Sequence, residues 1–258
     1  MRVRWLALLL SVSGIGFTQD TGTEWITERK EWEGTVKPGQ PIEIHNDYGD
    51  VRARGIDGTN ISLTAMVQKH EDDAHSISFD IEQRPDRLVV RMKYEGDDGE
   101  TAKAGGKRRA DVSVLLPQGC PYTVRTVPGL IEVKGFRGDV DLYSQQGNIF
   151  LRNHGHAKVG TNQGNVDATL LDPSWIKPLS FESTIGNISV RLPSNADVTV
   201  DASTAGELTS DYSIDIERDP HTWEKRARAV IGSGQSKLVI ASKSGNIKIL
   251  EGKWDVDH

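Results

Sequence analysis

The chain has 258 residues with 37 acidic against 31 basic side chains, a net charge of −6, so it lacks the basic excess that marks a nucleic-acid binder. Its single cysteine, Cys120, excludes an internal disulfide, and stability must come from apolar burial and strand pairing.

At the N-terminus, Arg2 and Arg4 precede an apolar run, Trp5–Phe17, that ends among small residues. This is the pattern of a secretory signal peptide over residues 1–20. The run is shorter than the roughly 20 apolar residues a bilayer crossing needs. Residues 21–258 are therefore expected to form one elongated exported domain, periplasmic, at the cell surface or extracellular, with no membrane insertion of the mature chain.

From residue 40 onward, apolar residues recur two apart: Ile42/Ile44, Ile61/Leu63/Ala65/Val67, Ile77/Phe79/Ile81, Leu88/Val90/Met92 and Val112/Val114/Leu116. That is the period of half-buried strands, and Arg84-Pro85-Asp86 predicts a hairpin between the third and fourth. Gly96–Gly106 reads as a polar glycine-rich loop. Cys120, in Leu116–Pro121, is expected to be a partly buried small apolar residue rather than a nucleophile, since no His lies near it in sequence. Glu217–Gln235, with Trp223 and the basic cluster Lys225–Arg228, is the one stretch where a short helix is expected.

Between residues 122 and 250 a phrase repeats. Gly147-Asn148-Ile149, Gly164-Asn165-Val166, Gly186-Asn187-Ile188 and Gly245-Asn246-Ile247 are its strong copies. Looser ones begin at Gly49, Gly129 and Gly206. Each places Val, Ile or Leu two residues after the glycine, and Asn46, Thr126, Ser144, Thr161, Ser183, Ser203 or Ser242 three residues before it. Glycine is expected to supply a positive φ at a tight corner, and Asn or Asp to bond to nearby main chain. Ser203 falls out of phase with Val198, Val200 and Ala202, which predicts a bulge or shift at that corner.

A single turn of this repeat buries too few aliphatic side chains to offset its chain entropy, so the turns must stack on one another. Equivalent Asn side chains would then form amide ladders. The fold class predicted is all-β, a repeat β-solenoid of the parallel β-helix kind with β-hairpins in the N-terminal part. An antiparallel β-sandwich is the alternative.

Val36–Ile44 running into Asn46–Val51, then Leu116–Gly119 with Tyr122–Thr126 and the Gly-Asn series, resembles a bacterial "putative adhesin" family over residues 34–252. The resemblance implies an exported, envelope-associated, β-solenoid-like protein; it supplies no catalytic or binding residues.

Other chemistry is sparse. His154-Gly155-His156 offers two metal ligands where a zinc site needs three or four, so no metal is assigned. Asp97-Asp98-Gly99-Glu100 lacks the spacing of a calcium loop. Lys107–Arg109 and Lys225–Arg228 read as ordinary surface. Asp139, Asp141 and Asp167 are the carboxylates that a carbohydrate-active enzyme on this scaffold would draw on, since glycoside hydrolysis needs two across a cleft. No nucleophile elbow or phosphate-cradling loop appears. The expectation is a non-catalytic cell-envelope protein without cofactor. It presents a repetitive β-surface to an envelope protein or glycan, and its oligomeric state is left open. A carbohydrate-active enzyme and an accessory scaffold for envelope-stress sensing are the alternatives.

Overall fold

A computed structural model describes residues 25–71, 73–95 and 108–252. The expected signal segment, the glycine-rich loop Gly96–Gly106 and the residues after Gly252 lie outside them. The described residues contain 21 strands and no helix.

β1 (Trp25–Thr35) is followed by β2 (Ile42–Asn46), β3 (Val51–Ile56) and the long β4 (Asn60–His70). The hairpin of β5 (Ile77–Gln83) and β6 (Leu88–Tyr94) and then β7 (Arg108–Pro117) complete the N-terminal part. Strands then come in pairs across corners: β8 (Tyr122–Pro128) with β9 (Ile131–Phe136), β10 (Val140–Gln146) with β11 (Ile149–Asn153), and β12 (Ala157–Gln163) with β13 (Val166–Leu170). Next come β14 (Leu179–Ile185) with β15 (Ile188–Pro193), and β16 (Val198–Thr204) with β17 (Leu208–Ser210). A hairpin of β18 (Asp215–Arg218) and β19 (Lys225–Ile231) leads to β20 (Ser236–Ser244) and β21 (Ile247–Gly252).

The two strands of each pair enter different sheets. One sheet has ten strands in the order β1-β4-β7-β3-β9-β11-β13-β15-β21-β17; the other has eleven, β5-β6-β2-β8-β10-β12-β14-β20-β16-β19-β18. Side by side, these orders describe a two-sided β-solenoid. Pairings along the stack are parallel, while β1, β4, β5, β18 and β19 close its ends antiparallel. Alternation of side chains does the rest. Ile149/Leu151, Val166/Ala168/Leu170 and Ile188/Val190/Leu192 from one sheet meet Val140/Leu142, Ala157/Val159 and Leu179/Phe181 from the other, all buried in one core that runs from Val36 to Ile249.

Order in space departs from order in sequence at both ends. The β6/β7 rung lies outside β2/β3, and the last rung, β20/β21, is inserted between β14/β15 and β16/β17. The expected helix in Glu217–Gln235 is not there. Ala227, Ala229 and Ile231 of β19 point inward with Arg226, Arg228 and Val230 outward, a two-residue period that pairs β19 with β16.

Candidate functional site: corners and outer faces

The seven repeat glycines stand in one column. A Cβ on Gly129 would lie 1.9 Å from the Gly49 carbonyl oxygen, on Gly147 2.0 Å from that of Gly129, and on Gly164 2.1 Å from that of Gly147. The series continues through Gly186 and Gly245 to Gly206, with approaches of 1.9, 2.0 and 2.2 Å. Contact of main chain on main chain therefore excludes every side chain here. The expected dihedral reason holds only in part: φ is 123° at Gly49 and 148° to 158° at Gly164, Gly186 and Gly245, but not positive at Gly129, Gly147 or Gly206.

Two hydrogen-bond columns flank the glycines. Ser144, Thr161, Ser183 and Ser242 donate their hydroxyls to the glycine carbonyl of the preceding rung at 2.9–3.1 Å. At the Gly206 corner Thr204 takes this place, donating to the Gly245 carbonyl, because this corner is one residue shorter and Ser203 points outward. The second column replaces the expected amide ladder. Asn148, Asn165, Asn187 and Asn246 each accept, through Oδ1, the main-chain N–H of the next rung's equivalent residue at 2.8 Å. Asp50 accepts from the Leu130 N–H in the same way. Side chain thus bonds to backbone, and the column fixes the register of one rung on the next.

The carboxylates a glycosidase would need are not brought together. Asp141 lies on the outer face of the eleven-stranded sheet, paired with Arg125 at 3.0 Å; Asp167 lies on the outer face of the other sheet; Asp139 sits at a corner with Lys177 at 2.7 Å. His154 and His156 are held separately, by Asp172 and by the Pro178 carbonyl. Cys120 is buried in the core, and burial pushes its thiol above the ordinary value. Arg226 and Arg228 project from β19 toward Glu224 and Asp201.

One surface feature escaped the sequence pattern. On the outer face of the eleven-stranded sheet a depression of about 280 Å³ opens where Gly160 stands beside Tyr143, rimmed by Arg125, Lys158, Glu182 and Lys243. A Cβ on Gly160 would meet the Tyr143 ring at 3.3 Å. An aromatic face among charged donors and acceptors can hold a polar ring by stacking and hydrogen bonding. Nearby, burial and then the Arg91 cation hold the His45 imidazole below its ordinary 6.5, which leaves it neutral near pH 7. The available signal was a glycine in mid-strand, away from any corner.

Among solved structures, the chain is similar to a "putative cell adhesion protein" of Clostridium sporogenes at 15% identity, covering 87% of this chain and 100% of that one, with a TM-score of 0.48. A "putative adhesin" of Parabacteroides distasonis shares 9% identity over 85% of this chain and 96% of that one, TM-score 0.33. One of Bacteroides fragilis shares 12% over 89% and 98%, TM-score 0.28. No curated protein matches the chain. The family model of Toastrack DUF4097 matches residues 40–250, from just before β2 into β21, and the chain belongs to that family.

Proposed function

We propose that the protein is a non-catalytic, exported component of the cell envelope that binds an envelope glycan or protein across the outer surface of its stack. The observation that carries this reading is the register. Arg125, Tyr143, Gly160 and Glu182 lie directly beside one another on successive strands, so outward side chains form straight rows at strand spacing, about 4.8 Å. Such rows on a stiff support suit a ligand that repeats along its own length, because each added contact is made without new ordering cost. The separation of Asp139, Asp141 and Asp167 over two faces and a corner supports binding rather than glycan hydrolysis. The signal-like segment at residues 1–20 supports export.

The test is capture by the purified, immobilised chain from envelope extract and on a glycan array. Retention of a defined ligand is the expected result, with no release of shortened glycan. Absence of any retained ligand, or glycan turnover that disappears in Asp141→Asn, would overturn the proposal.

A further inference from the structure

The outer face of the ten-stranded sheet carries a row of cations. Register places Arg54 beside Lys134, Lys134 beside Arg152, Arg152 beside Thr169 and Thr169 beside Arg191. Four basic residues thus occupy five consecutive rungs and span about 19 Å along the stack at normal strand spacing. Like charges directly opposite one another on neighbouring strands weaken a sheet, so nothing in folding calls for this arrangement. It also runs against the −6 net charge of the chain. Glu132, in the adjacent outward row, pairs with Lys134 at 2.7 Å and Arg54 at 4.0 Å. In that same row Phe150, 37% exposed, lies beside Glu132 on one rung and Asp167 on the other.

We infer that this row binds a linear anionic polysaccharide whose carboxylates repeat along the chain and lie across the strands, with a sugar ring on Phe150. The inference rests on the proposed envelope-binding role and names the chemistry of one occupant. A linear polymer fits because the cations form a line rather than a pocket. A sugar polymer fits because the aromatic ring lies beside the charged row, and because the step between rungs is close to the length of one ring in an extended glycan. Release of counterions on binding makes such affinity fall steeply with salt, in proportion to the number of contacts neutralised.

The experiment titrates the purified chain with polygalacturonate at several salt concentrations, with neutral dextran and single-stranded DNA of similar length alongside. Salt-sensitive binding to polygalacturonate and none to dextran are expected. Arg54→Gln/Lys134→Gln/Arg152→Gln should weaken binding at least ten-fold and flatten the salt dependence, and Arg191→Gln alone should weaken it two- to three-fold. Arg226→Gln/Arg228→Gln/Lys237→Gln, on the opposite sheet, should bind like the parent. Thermal melts confirm folding, and the single variant decides if the triple one does not fold. The assignment falls if polygalacturonate is ignored at low salt, if the opposite-sheet variant loses as much, or if DNA binds as tightly through the same residues. If polygalacturonate is ignored while envelope extract still yields a ligand, this inference alone falls; if neither binds, the envelope-binding proposal falls with it.

Discussion

Gly147 separates two explanations for glycine at a corner. Its φ is not positive, yet a Cβ there would lie 2.0 Å from the Gly129 carbonyl oxygen. Gly39 is the reverse case, with φ of 74° and nothing within 4 Å of where a Cβ would stand. Gly147→Ala is therefore expected to cost about 3 kcal/mol or more, as forced overpacking against rigid backbone. Gly39→Ala should cost only about 1 kcal/mol, from left-handed strain. Chemical denaturation of both variants checks the order; equal losses would return the column to a dihedral explanation. Likewise Ser183→Ala, which removes the 3.0 Å bond to the Gly164 carbonyl, is expected to cost about 1 kcal/mol by the same measurement. The glycine and Asn positions were legible in sequence because corners admit so few residue types. Their reason was not, because close approach is a relation between corner residues 17 to 80 positions apart and leaves no local trace. The Tyr143 depression was hidden for the same cause: Gly160 becomes meaningful only when register sets it beside that ring.

At the level of single elements, period-two alternation identified β2, β4, β5, β6 and β7 without difficulty. It failed at β19, where Lys225, Arg226 and Arg228 crowd the strand and small Ala227 and Ala229 make a weak inward row. The end strands carry their own chemistry. β1 is an edge of the ten-stranded sheet and bears Glu28, Arg29, Lys30, Glu31 and Glu33, charges that oppose edge-to-edge pairing with another copy. Replacing Glu28, Arg29, Lys30 and Glu31 by Thr is expected to produce concentration-dependent self-association in light scattering. Between β4 and β5, Asp73 is paired with Arg108 at 2.8 Å, both side chains at 10% exposure or less. Burial acts first and would raise the Asp73 carboxyl, but the His75 main-chain N–H and ring, with the Arg108 guanidinium, hold it below the usual 3.8. A depressed carboxylate contributes fully above its unfolded value and loses that contribution as pH falls through the folded one. Acidification below 3.8 should thus release amide protection at the β4–β5 connection before the central rungs, as read by hydrogen exchange. Uniform loss along the stack would refute this.

Across the whole molecule, an all-β stack was legible from the repeat, whereas the rung order was not. Sequence similarity between phrases says that they are equivalent, and nothing in Gly245-Asn246-Ile247 says that its place is between the Gly186 and Gly206 rungs. The consequence for stability is specific. A chain ending at Gln235 lacks β20 and β21, which leaves β14/β15 and β16/β17 without the rung that pairs with both. Limited proteolysis of that fragment is expected to digest β16–β19 rapidly while the N-terminal rungs persist.

The two ends of the described chain also differ in how they would bear a pulling force. Among the described strands β1 has a ladder with β4 alone, so tension entering there peels an edge strand away one bond at a time. β21 is gripped by β15 on one side and β17 on the other, so tension entering there must shear two ladders at once. In a force spectrometer, a handle placed just after Gly252 should therefore resist higher loads than one placed at Trp25, and a protein tethered to a cell by its C-terminal side would keep its stack intact under drag.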